Sequence, residues 1–83
     1  MRVVTLYGRP ECHLCDQARE AIVALRSEVP PFELREVNIE LDDGLLARYL
    51  ERIPVVAVDG EAVSELQLNL DSLRGALLDT VRR

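Results

Sequence analysis

Two cysteines three positions apart, in Cys12-His13-Leu14-Cys15, are the residues of this chain best suited to covalent chemistry. A thiolate attacks a disulfide sulfur, and a second thiol close behind it can release the product by closing a disulfide with the first. The same spacing makes a poor staple, because it closes a very short loop and removes little entropy from the unfolded chain. Metal binding is the other use of close thiols. Cys12, His13 and Cys15 would supply three ligands, but a closed zinc site needs a fourth, and there is no second Cys or His cluster. No metal ligands and no bound cofactor are therefore assigned.

The pair falls where a strand gives way to a helix. Val3, Val4, Leu6 and Tyr7 form a short β-prone run that Gly8 ends, and Arg9-Pro10-Glu11 turns the chain. Leu14, Cys15, Ala18, Ile22 and Leu25 then recur at helical spacing, which predicts an amphipathic helix from about Cys12 to Arg26. Cys12 is expected at the exposed tip and Cys15 on the buried stripe. Unpaired N–H groups and the positive end of the helix dipole favour a thiolate there, but at about 0.3–1 kcal/mol they lower a thiol pKa by less than about one unit. Arg9 could add to that stabilisation, while Glu11 and Asp16 oppose it. His13, if protonated, would tune the thiolate; otherwise it is a plain exposed first-turn residue. Tyr7 ends its strand near the pair, where it could line the groove or simply pack.

The rest of the chain supplies a frame. Eighty-three residues make one domain, 1–83, and 48% hydrophobic with 30% charged residues argues against disorder. Phe32, Leu34, Val37 and Ile39 predict a second strand after Pro30-Pro31, and Asp42 or Asp43 caps a helix carrying Leu45, Leu46, Tyr49 and Leu50. Pro54 opens the apolar run Val55 to Val58. Asp59-Gly60 predicts a hairpin, with Glu61 to about Leu68 as the return strand. Asn69 or Asp71 caps a last helix whose stripe is Leu70, Leu73, Leu77, Leu78 and Val81. The order βαβαββα predicts an α/β fold, a mixed sheet flanked by helices, with a parallel first pair.

Charge and composition exclude other classes. The net charge of −5 disfavours nucleic acid, and all ten basic residues are arginine, so no lysine Schiff base can form. No apolar run approaches the length of a membrane span or a secretory signal, so a cytoplasmic protein without membrane contact is expected. In a reducing compartment, two close cysteines point to redox or metal chemistry over structural bridging.

The segment Tyr7-Gly8-Arg9-Pro10-Glu11-Cys12-His13-Leu14-Cys15, together with Arg52-Ile53-Pro54-Val55-Val56 and the element order, resembles the glutaredoxin branch of the thioredoxin-like family. The likeness covers nearly the whole chain. It implies a four-stranded sheet with the first strand between the second strand and the hairpin. It also implies Cys12 as nucleophile, Cys15 as resolving thiol, and a cis bond at Ile53-Pro54. Pro54 would pack beside the pair, with the Ile53 backbone free to bind a thiol peptide. Three departures stand out. His13-Leu14 replaces the common Pro-Tyr, and Arg9 stands where lysine is usual. Val63 to Leu68 lacks the Gly-Gly turn that helps hold a glutathione carboxylate, and Glu65 brings a negative charge there. The expectation is a monomeric thiol–disulfide oxidoreductase in cell redox homeostasis and electron transport. Its substrates would be a disulfide-containing protein or a low-molecular-weight thiol, and glutathione or another external thiol would restore it. The alternatives are a metal- or iron–sulfur-cluster-binding module using Cys12 and Cys15, and a redox-inert adaptor.

Overall fold

A computed structural model describes residues 1–78, in the order β1 (Arg2–Gly8), α1 (His13–Leu25), β2 (Phe32–Asn38), a 3-10 turn (Ile39–Leu41), α2 (Asp43–Tyr49), β3 (Val55–Val58), β4 (Glu61–Ser64) and α3 (Leu70–Leu78). The four strands form one sheet ordered β2-β1-β3-β4. The β1–β2 pair is parallel, whereas β1–β3 and β3–β4 are antiparallel. The mixed α/β sheet and the βαβαββα order match the sequence expectation.

Alternation along β1 decides what each helix covers. Val4 and Leu6 face α1 and α3, forming a core with Ile22, Leu25, Val56 and Leu73. Each fully buried aliphatic side chain there contributes about 1.5–3 kcal/mol relative to exposure. Tyr7 lies on the other face, where its ring meets Tyr49 of α2 at 4.9 Å between centroids. β3 is buried at all four positions, which explains why it reads as a continuous apolar run.

Several expected boundaries move. β4 stops at Ser64 instead of running to Leu68, because the chain turns there. The buried Ser64 hydroxyl donates to the Gln67 carbonyl at 3.2 Å and accepts from the Asn69 N–H at 2.9 Å. Leu66 takes a left-handed φ of 66°, which no strand residue can hold. Ile39 is buried but begins the 3-10 turn rather than ending β2. Asp42 and Asn69 are the helix caps; their side chains accept from the N–H groups of Leu45 and Ser72 at 3.0 Å each. In α2, Leu45, Leu46 and Tyr49 are half-buried and Leu50 is exposed, so its apolar side is only partly covered. Leu78 is exposed despite falling on the α3 stripe, and Val81 lies outside the described residues.

The β3–β4 hairpin turns through Asp59 and Gly60 with φ of 51° and 89°, the mirror-image type I turn that the dipeptide predicts. Asp59 also pins this turn to β1: its carboxylate accepts from the Val3 N–H at 2.9 Å and pairs with Arg2 at 2.8 Å. The backbone hydrogen bond first, then Arg2, holds its pKa below the usual carboxylate value. A lowered folded-state pKa adds stability above the unfolded-state pKa, and that stability is lost as pH falls through the lowered value. Asn tolerates the same φ, so Asp59→Asn should be less stable than the parent at pH 7, with the gap closing in acid below pH ~4. Urea midpoints across a pH series test this; a gap that persists unchanged in acid would refute it.

Candidate active site

The C-terminal end of β1 delivers the chain into the Cys12-His13-Leu14-Cys15 segment. Gly8 is its last residue, and Glu11 turns the chain at a φ of 62° just before Cys12. Cys12 is the N-cap of α1: it has extended backbone, and its sulfur accepts from the Cys15 N–H at 3.2 Å. Cys12 and Cys15 are joined as a disulfide. Cys12 is half-buried, slightly less open than a helix tip suggests, and Cys15 is only 4% exposed. The two sulfurs therefore differ in access, as an attacking and a resolving thiol must. An N–H pointed at Cys12 Sγ from the first turn of a helix stabilises a thiolate there when the bond is open.

Gly8 makes this packing possible. A Cβ built on it would stand 2.8 Å from Cys15 Sγ and 3.2 Å from Cys15 Cβ, inside van der Waals contact. Sequence reading took Gly8 only as the end of a strand. Its other role, admitting the Cys15 sulfur against the sheet, becomes visible only once α1 is laid across β1.

The Ile53–Pro54 peptide is cis. Tyr7 pairs with Val55 in the β1–β3 ladder, so one further step along that antiparallel register sets Pro54 beside Gly8, at the end of the sheet that carries the cysteines. The Ile53 backbone differs from the expectation. Its N–H donates to the Tyr49 carbonyl at 3.1 Å, so only its carbonyl is open, with no hydrogen-bond partner among the described residues.

The remaining candidates disperse. Arg9 lines a cleft of about 270 Å³ with Gly8, Cys15 and Arg19, but its guanidinium lies 3.9 Å from Glu40. His13 is exposed at the first position of α1, with no hydrogen bond or ion pair among the described residues. Tyr7 turns toward α2 and Tyr49. Asp16, one residue after Cys15, is matched by Arg19 at 3.2 Å, which offsets its charge near the pair. Glu36 on β2 also pairs with the Arg19 guanidinium and, ahead of Asp16, raises its pKa.

Two features escaped the sequence reading. Leu14 sits between the cysteines and belongs to the predicted buried stripe, yet it is 49% exposed. It faces a groove of about 180 Å³ that it lines with Leu66, Leu68 and Leu70. Arg52 meets Glu65 at 3.6 Å, and its carbonyl accepts from the Leu66 N–H at 2.8 Å, which ties the segment after β4 to the one before Pro54. Both are contacts between distant segments, and neither has a local sequence signal. Among the described residues no three His, Cys, Asp or Glu side chains cluster to hold a metal ion, and no helix is long and apolar enough to cross a membrane.

Comparison with known proteins gives the same frame. The family described as glutaredoxin-like domain (DUF836) matches residues 3–78. A protein of Nitrosomonas europaea, solved by NMR, superposes with a TM-score of 0.82 at 28% identity, covering 92% of this chain and 91% of that one. A structural-genomics target protein of X. campestris, solved by X-ray diffraction, gives 0.70 at 36% identity over 89% of this chain and 93% of its own. A mutant thioredoxin from Halobacterium salinarum gives 0.62 at 17% identity, over 94% of this chain and 75% of its own, a likeness of fold. No curated protein matches the chain.

Proposed function

This chain belongs to the glutaredoxin-like domain family, and on that premise we propose that it is a thiol–disulfide oxidoreductase that cycles Cys12 and Cys15. The observation that carries the reading is the disulfide at the start of α1, with its more accessible sulfur receiving the Cys15 N–H. In the reduced protein the Cys12 thiolate attacks a substrate disulfide. A Cys12–substrate bond forms, the substrate S–S bond breaks, and the leaving thiolate takes a proton. Cys15 gives up its proton and attacks Cys12 Sγ, expelling the second substrate thiol and closing the Cys12–Cys15 bond. The substrate has then gained two electrons and two protons; the pair has lost the two electrons and the Cys15 proton, and solvent supplies the other proton, which it took up when the Cys12 thiolate formed. An external thiol returns the electrons. The family pattern assigns Cys12 as nucleophile and Cys15 as resolving thiol, and the difference in burial supports that division. The position of Pro54 and the open Ile53 carbonyl support a groove beside the pair. We assign the work to the cytoplasm, where reductant for such a pair is continuously available, and to the monomer.

Thiol counting tests the cycle. The protein should show two reactive thiols after reduction and none after mild oxidation with a small disulfide, reversibly over repeated rounds. A pair that does not reopen and reclose would instead support a redox-inert adaptor.

A further inference from the structure

The redox reading leaves open which thiols or disulfides the pair meets, and the groups around it narrow the class. Two arginines lie on the segments that the redox reading places at the site. Arg9 shares a cleft with Cys15, and Arg52 directly precedes Ile53–Pro54. An open guanidinium in either place would take a ligand carboxylate with parallel hydrogen bonds. Each instead faces a carboxylate of its own chain: Glu40 at 3.9 Å from Arg9, and Glu65 at 3.6 Å from Arg52. Glu11, next to Cys12, adds a negative charge with no ion-pair partner among the described residues, and the whole chain carries −5. A small thiol of net negative charge therefore approaches a like-charged protein, and a carboxylate of the chain already competes for each of these two cations.

The other groups offered beside the pair suit a polypeptide. Leu14 and Leu66 are 49% and 54% exposed and line one groove, and Leu66 is held outward by a left-handed backbone whose N–H is fastened to Arg52. The open Ile53 carbonyl can accept a main-chain N–H, as an extended segment laid along a strand end provides. These groups ask for an apolar side chain and a peptide N–H, and the surrounding charge disfavours acidic neighbours.

Resting on the redox reading above, we propose that the partner of Cys12 is a polypeptide cysteine flanked by an apolar residue, and that Glu65, by holding Arg52, sets the site against small anionic thiols such as glutathione. The exchange is the same chemistry run from the oxidised pair, the half of the cycle in which thiols return two electrons to it. A peptide thiolate attacks the Cys12–Cys15 bond, a peptide–Cys12 disulfide forms, and Cys15 leaves as a thiolate and takes a proton. A second peptide thiol then releases Cys12, giving a peptide disulfide and the reduced pair.

Three monothiols distinguish the outcomes on the oxidised protein: glutathione, neutral 2-mercaptoethanol, and a capped peptide with leucine beside its cysteine. Rates are compared per unit of thiolate. Glutathione should be slower than 2-mercaptoethanol, with the deficit shrinking as salt is added, and the peptide should be the fastest. Glu65→Gln should raise the glutathione-to-mercaptoethanol rate ratio by about two- to fivefold, the rate equivalent of an exposed ion pair. Leu66→Ser should reduce the advantage of the peptide. Glutathione matching 2-mercaptoethanol in the parent, or a ratio unmoved by Glu65→Gln, overturns the proposal and leaves the redox reading standing. A Cys12–Cys15 bond that none of the three thiols opens overturns both.

Discussion

Replacing Cys12 by serine is expected to bring disulfide reduction down to the background exchange of the free reductant, a loss of about two orders of magnitude or more. The fold should survive the change. Cys12 is the N-cap of α1, where its sulfur accepts the Cys15 N–H, and serine is among the residues that serve best in that position. Lost activity with an unchanged denaturation midpoint therefore reports on chemistry rather than on folding. Cys15→Ser should behave differently. It keeps the attacking thiol and removes the group that resolves the intermediate, so the protein should accumulate as a mixed disulfide whose added mass intact-mass spectrometry detects. Retained turnover in Cys12→Ser would sink the proposed mechanism. Trapping through Cys15 in the Cys12→Ser protein would reverse the two roles.

Gly8→Ala carries the second large effect. The new methyl group would stand 2.8 Å from Cys15 Sγ, between two elements that yield little. Gly8 is buried in a strand paired with β2, and Cys15 is buried on the first turn of α1. Overpacking of this kind costs about 1–3 kcal/mol. Displacing the Cys15 sulfur also changes its alignment with Cys12, so the variant should close its disulfide more slowly after reduction. Gly75→Ala is the contrast. Nothing lies within 4 Å of a Cβ built at that position in α3, and helix propensity alone predicts a gain of up to about 1 kcal/mol. Denaturation of both variants, oxidised and reduced, checks the pair. A Gly8→Ala protein as stable as the parent would show that the close approach is not a constraint.

Much of the frame was legible because it is written in local patterns. The period of α1, the continuous apolar run of β3 and the Asp59-Gly60 turn each follow from a few neighbouring residues and the backbone they prefer. Errors fell where a distant contact overrides the local pattern. The β-prone run after Glu61 ends at Ser64 because a buried hydroxyl ties down the backbone of residues 67 and 69. Leu14 fits the buried stripe of α1 by spacing, yet it opens onto a groove made with Leu66, far along the chain.

The chemistry at the site divides in the same way. Sequence alone determined that the reactive groups are two thiols three residues apart at a helix start, because spacing and helix geometry are local properties. It also supplied the resemblance from which Pro54 could be singled out. The stripe of α1 also marked Cys15 as the sheltered sulfur, but only the tertiary structure shows what covers it, the crossing of α1 over β1 at a residue without a side chain. Tertiary structure decided as well that the Ile53 N–H is already engaged by Tyr49 and that Arg9 and Arg52 face Glu40 and Glu65. Such pairings depend on which segments the sheet brings together, and charges or hydrogen-bonding groups far apart in the chain carry no mark of their partners until it does.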